Sequence, residues 1–318
     1  MSNENQIKST PVIAIVGPTA VGKSALAIRL ARELDGEIIS CDSMQIYREM
    51  DIGTAKATRQ ELESVPHHLI DIKNPDESFS CAEYALLAKE KIKEICSRGK
   101  LPIFCGGTGL YLDSVIEIPS FSDQIKDEKY RKELEELSKH EGVDALHALL
   151  FEVDPESAEQ IHKNNVKRVI RALEIYHATG KRKSELDALS KTQKPPFDAR
   201  VFFLTYKDKD ALYSKIEGRV DLMLEQGLLE ECRALFEKGY LTSGSTASGA
   251  IGYKEFIPYF EGVASLEDCV RQLKLSTRHY AKRQLTWFKK KQNYHTIFVD
   301  EADAFECALK ILNGESNG

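Results

Sequence analysis

The stretch that most constrains this chain is VIAIVGPTAVGKSALAIRLARELDG, residues 12 to 36: an apolar strand run, a glycine-bounded turn, then an amphipathic helix ending at Gly36. The turn reads Gly17-Pro18-Thr19-Ala20-Val21-Gly22-Lys23-Ser24, which is G-x-x-x-x-G-K-[ST] in strand-to-helix context. Glycines at its two ends let the backbone wrap an anion, so that successive N–H groups and the helix N-terminus face phosphate oxygens. Lys23 adds a point charge and the Ser24 hydroxyl suits Mg²⁺. The motif does not say whose phosphates these are, because any diphosphate satisfies the same donors.

Further β-rich runs begin at residues 37 (EIISCD), 67 (HHLIDI), 101 (LPIFCGG), 200 (RVFFLTY) and 294 (YHTIFVD), with helical stretches between them. Strands alternating with helices predict a parallel sheet covered on both faces, here an α/β P-loop NTPase-like core. Residues 113 to 198 break the alternation with charged, helix-like sequence that ends at Pro195-Pro196. The expected organisation is core residues 1–112, a helical insertion domain over 113–198, and a second core part over 199–318 with basic C-terminal helices.

In such a sheet ligands bind beyond the carboxyl ends of the strands, which draws attention to the residues there. Asp42, after the second strand, can serve as a general base, help to hold Mg²⁺ through water, or simply cap the next turn. Thr108, after Gly106-Gly107, can present a hydroxyl to a ligand or cap the following helix. His67 and His68 are adjacent in a strand and point to opposite faces, so one ion cannot readily be chelated by both.

The net charge of −6 gives no global sign of a polyanion partner. Locally, however, eight Lys or Arg and no Asp or Glu lie between Asp268 and Asp300, with Arg271, Lys274, Arg278 and Lys282 spaced for one helix face. In NNVKRVIRALEIYHATGKRK, Lys167, Arg168 and Arg171 share a face opposite Val166, Ile170 and Leu173. Each stripe taken alone reads as a solvated face; two of them on an acidic chain point to RNA. The seven cysteines are odd in number and form no C-x-x-C, no apolar run is long enough to span a bilayer, and MSNENQIKSTP lacks the pattern of a secretory signal. A cytoplasmic protein is expected.

GPTAVGKS, DSMQIYREMDIGTAK, HHLIDI, GGTGLYL, NNVKRVIRALEIYHATGK, GAIGYKE and RHYAKRQLTWFKK occur in one order. Together they closely resemble the tRNA dimethylallyltransferase family, from about residue 11 to about residue 300. The resemblance implies prenyl transfer from dimethylallyl diphosphate to N6 of adenosine 37, in the anticodon stem-loop of tRNAs reading codons that begin with U. It implies Mg²⁺ on Ser24, the diphosphate along Gly17, Pro18, Thr19, Ala20, Val21, Gly22, Lys23 and Ser24 with Arg219 nearby, and catalytic roles for Asp42 as base, Lys23 and Thr108. Implied tRNA contacts are Asp42, Ser43, Met44 and Gln45; Thr108; Arg131; Lys167, Arg168, Val169, Ile170 and Arg171; Ala250, Ile251, Gly252, Tyr253, Lys254 and Glu255; and Thr277, Arg278, His279, Tyr280, Ala281, Lys282, Arg283 and Gln284. The eukaryotic members' C-terminal zinc finger has no counterpart here, which implies a bacterial-type enzyme, and the family implies a monomer.

Overall fold

The computed structural model describes residues 10–117, 127–191, 194–242 and 244–314; the polar start, most of the IPSFSDQIKDEKY loop and residues 192–193 lie outside them. Six strands form one sheet: β1 (Thr10–Val16), β2 (Gly36–Ser40), β3 (His67–His68), β4 (Leu101–Gly106), β5 (Phe197–Thr205) and β6 (His295–Phe298). Their order is β3-β2-β4-β1-β5-β6, and every pairing is parallel. Alternation along β1 sends Val12, Ala14 and Val16 to one face with Ile39, Phe104, Val201 and Phe203. Ile13 and Ile15 go to the other, with Ile38, Ile103, Phe202 and Leu204. Helix Cys81–Ser97 covers the first face through Tyr84, Ala88, Ile92 and Ile95; helix Lys23–Glu33 covers the second through Leu26, Ala27 and Leu30. With both faces dry, the central strands need near-continuous apolar sequence, as in VIAIV of β1, PIF of β4 and VFFL of β5, whereas the edge strands β3 and β6 are short and more polar.

β1 and β4 are neighbours whose outgoing connections run to opposite sides of the sheet, one to β2 and the other eventually to β5. Such a switch point opens a crevice at the strand ends. The turn after β1 fits there because Gly17 (φ 147°) has no Cβ: one would stand 2.2 Å from the Leu204 carbonyl oxygen.

Residues Glu117–Pro196 form a compact unit of their own. Its core is Leu134, Leu146, Leu150, Ala158, Val169, Ile170 and Leu173. Asp154, buried, accepts from the N–H and hydroxyl of both Ser157 and Ser184, so its carboxylate is fully satisfied and ties two helices together. The limits differ from 113–198 at each end. Asp113 belongs to the core helix Gly109–Ile116, where it accepts from Trp287 Nε1 (3.0 Å) and Lys291 Nζ (2.8 Å), and Phe197 already pairs with Thr10 in the sheet. Among the described residues no helix is long and apolar enough to cross a membrane.

Candidate active site

A cavity of about 440 Å³ opens at the strand ends of the core. The turn after β1 lines it with Thr19, Ala20, Gly22, Lys23 and Ser24, and helix Lys209–Glu225 contributes Arg219. Lys23 folds back so that Nζ donates to the Pro18 carbonyl at 2.6 Å. Burial pulls its pKa down to about 8, and burial likewise lowers Arg219, with the Asp42 carboxylate working against it. Two desolvated cations facing one carboxylate leave the cavity short of negative charge, a condition an incoming anion relieves. Gly17, Pro18 and Val21 are buried and do not line the cavity, so the cradle that faces a ligand is narrower than the motif.

Asp42 lines the same cavity, and its Oδ1 accepts from the Met44 N–H at 2.9 Å. Capping and chemistry are therefore compatible: one oxygen closes the turn, while Oδ2 has no hydrogen-bond partner among the described residues. Thr108 does not line the cavity. Its Oγ1 accepts from Ser43 N–H (3.1 Å), its N–H donates to the Cys41 carbonyl (3.1 Å), and its hydroxyl meets the Tyr280 phenol. It fastens the Asp42-Ser43 turn from behind. Ser24 and Asp42 supply hard oxygen donors in one cavity, and no cluster of three His, Cys, Asp or Glu suited to a metal occurs among the described residues. That donor set fits Mg²⁺, which keeps most of its waters and takes the remainder of its shell from phosphate oxygens.

The other lining is apolar or backbone. Ile216, Val220 and Met223 share the Arg219 helix, and Leu273 comes from helix Leu266–Phe288. Among the expected tRNA contacts, Ser43, Met44, Gln45, Ala250, Ile251, Gly252, Lys254, Thr277, Tyr280, Arg283 and Gln284 line the cavity. Tyr253, Glu255 and Ala281 are buried behind it. Gln284 is also buried over most of its surface: Oε1 accepts from Thr19 N–H (3.1 Å) and Nε2 donates to the Gly107 carbonyl (3.0 Å). His279 and Lys282 are exposed.

The basic stripe on helix Leu266–Phe288 is largely neutralised. Arg278 pairs with Glu217, Lys274 with Asp221 (2.6 Å), and Arg271 with Asp268. On the insert, Arg131 is held by both oxygens of Glu174 at 2.8 Å, Arg171 joins that carboxylate at 3.3 Å, and Val169 and Ile170 are buried, which leaves Lys167 and Arg168 exposed. His67 and His68 have separate partners, the Val65 carbonyl and Glu37.

Residues 45–291 match the model of the family described as IPP transferase. The chain belongs to the IPP transferase family. Relatives from this family include the tRNA dimethylallyltransferase of Bacillus cereus (strain B4264), 51% identical over 98% of this chain and 96% of its own length. The Bacillus thuringiensis (strain Al Hakam) protein of the same name is 49% identical over 99% and 97%. Among solved structures, the full-length tRNA isopentenylpyrophosphate transferase of Bacillus halodurans is 46% identical, with a TM-score of 0.71 over 96% of this chain and 95% of that one. A eukaryotic dimethylallyltransferase described as acting on tRNA is 33% identical, with a TM-score of 0.83 over 96% of this chain and 79% of that one.

Proposed function

We propose that the chain transfers a dimethylallyl group from dimethylallyl diphosphate to N6 of adenosine 37 in tRNAs reading codons that begin with U. The observation that carries this reading is one cavity with two kinds of wall: half-buried, partly desolvated cations at Lys23 and Arg219, and apolar side chains at Ile216, Val220, Met223 and Leu273. A charged diphosphate joined to a short hydrocarbon has that division of chemistry.

Ionisation breaks the allylic C–O bond, and the electron pair leaves with the diphosphate. Lys23, Arg219 and the N–H groups after Thr19 hold that charge as it develops. Ser24, with Asp42 through water, would hold Mg²⁺, which when bound supplies further positive charge against the leaving group. The adenine N6 lone pair forms the new C–N bond and the amine proton passes to Asp42 Oδ2. N6 is a poor nucleophile because its lone pair is delocalised into the ring, so a positioned carboxylate matters. A stacked base must swing out of the anticodon loop to arrive, at a cost of a few kcal/mol. Exposed Lys167, Arg168 and Lys282 are the cations we assign to backbone phosphates that offset it. The same reading makes the protein a cytoplasmic monomer.

Purified protein incubated with dimethylallyl diphosphate, Mg²⁺ and unmodified tRNA carrying A36-A37 should yield a C5 adduct on A37 in nucleoside mass spectrometry. No adduct, with ATP turned over instead, overturns the reading. Asp42→Ala should cut turnover by about 10²-fold or more while tRNA affinity is kept; near-normal turnover would remove Asp42 as the base.

A further inference from the structure

Glu231 lies in GLLEECRALFEKGY, a stretch that reads as an ordinary surface helix. In the structure its carboxylate takes hydrogen bonds from three consecutive backbone amides: Asp51 (3.1 Å) and Ile52 (2.9 Å) to Oε2, and Gly53 (3.1 Å) to Oε1. The Tyr253 phenol donates to Oε1 at 2.7 Å. Burial and the neighbouring carboxylate both push that phenol up, so it remains a donor throughout the working pH range. Three successive N–H groups converging on an anion form a nest, and here the anion is the protein's own.

Both partners of this carboxylate support cavity wall. Gly53 lines the cavity on one side of the junction, while Tyr253 sits between Gly252 and Lys254, which line it on the other. The two sides touch so closely that a Cβ on Gly53 would stand 2.5 Å from the Tyr253 ring. The connection continues to the base: Gln45 Nε2 donates to the carbonyls of Thr54 (3.2 Å) and Ala55 (3.3 Å), and Gln45 belongs to the turn that carries Asp42. No hydrogen bond runs from Glu231 to the phosphate-facing turn or to Arg219 among the described residues.

We infer that Glu231 is a positioning residue for the acceptor: seated in the Asp51–Gly53 nest and bonded to Tyr253, it locks two cavity walls together and, through Gln45, sets the Asp42 turn. The inference rests on the transferase reading above and concerns which half of the reaction Glu231 serves.

The experiment compares wild type, Glu231→Gln, Glu231→Asp and Tyr253→Phe, with both substrates varied and with amide hydrogen exchange followed at residues 51–53. Glutamine keeps the size but offers one acceptor oxygen where the nest and phenol use two. Loss of charge-assisted hydrogen bonds should lower kcat/KM for tRNA by about 10- to 100-fold in Glu231→Gln. The KM for dimethylallyl diphosphate should stay within about twofold, since no charged bond reaches the cradle. Exchange at 51–53 should accelerate, and Glu231→Asp, which keeps the charge, should recover part of the loss. Tyr253→Phe retains the nest and should lose about fivefold on the tRNA side alone, which keeps the test alive if Glu231→Gln folds poorly. A parallel rise in the donor KM, or tRNA constants and exchange unchanged in an active enzyme, overturns the inference. A wild type that forms no adduct at all overturns the transferase reading instead.

Discussion

At the scale of the residue, Lys23 carries a desolvation cost that an anion in the cavity would relieve. Its pKa in the folded chain is about 8 against an ordinary 10.5, because burial disfavours the charged form. Below about pH 8 it is charged whether the chain is folded or not, and the fold bears the full desolvation penalty, on the order of 3 kcal/mol. Between 8 and 10.5 the unfolded chain binds the extra proton, so this penalty fades as pH rises and is gone above 10.5. Lys23→Met should therefore raise the melting temperature of the ligand-free protein at pH 7, and lose that advantage near pH 10.5. Adding inorganic diphosphate should reverse the order at pH 7, stabilising wild type but not the variant; thermal melts at the two pH values, with and without diphosphate, check each part. For wild type, diphosphate binding at pH 8.5 should take up a proton, visible in calorimetry as a heat that depends on the buffer.

At the scale of the element, the long helix Leu266–Phe288 adds partners that spacing alone does not reveal. Its basic stripe was legible in sequence, but two of the three carboxylates that neutralise it were not. Glu217 lies 61 residues before Arg278, Asp221 lies well upstream of Lys274, both on a different helix, and nothing local links them to these cations. The salt dependence of tRNA binding separates the two kinds of cation. Lys282→Ala should reduce the slope of log K against log salt by about one, whereas Arg278→Ala should change it by a small fraction of that. Glu217→Gln, which frees Arg278, should steepen it. Glu231 is silent in sequence for the related reason that a glutamate aimed at backbone amides and one aimed at water have the same sequence. The P-loop and the central strands β1, β4 and β5 were legible because their signals are local: glycine spacing in one case, apolar runs in the other; β3 keeps only His67–His68 of the HHLIDI run. The apolar wall is invisible at this level, since Ile216, Val220 and Met223 at i, i+4 and i+7 read as common helix core.

At the scale of the whole molecule, the chain builds two compact units with separate apolar cores, and each should answer to its own weak point. In the insert that point is Glu174, whose side chain is 1% exposed and whose pKa is held below the ordinary 4.5; burial opposes this, and the Arg131 and Arg171 partners outweigh it. A carboxylate with a depressed folded pKa contributes stability above its unfolded value and loses it as pH falls through the folded one. Acid should thus weaken the insert. Arg131→Met, which leaves Glu174 only Arg171, should cost about 3 kcal/mol and split calorimetric melting into two transitions, the insert's the lower. Binding of inorganic diphosphate to the core should persist in that variant. Within the core, Gln284 joins the long helix to the turn after β1 through Thr19 and to β4's exit through Gly107. That amide makes the helix and the cradle mechanically continuous. If the acceptor shifts the helix, it changes the donor's affinity by some factor, and thermodynamic linkage requires the donor to change the acceptor's affinity by the same factor. Whichever substrate arrives first, the total free energy of assembling the ternary complex is the same, and only the route to it differs.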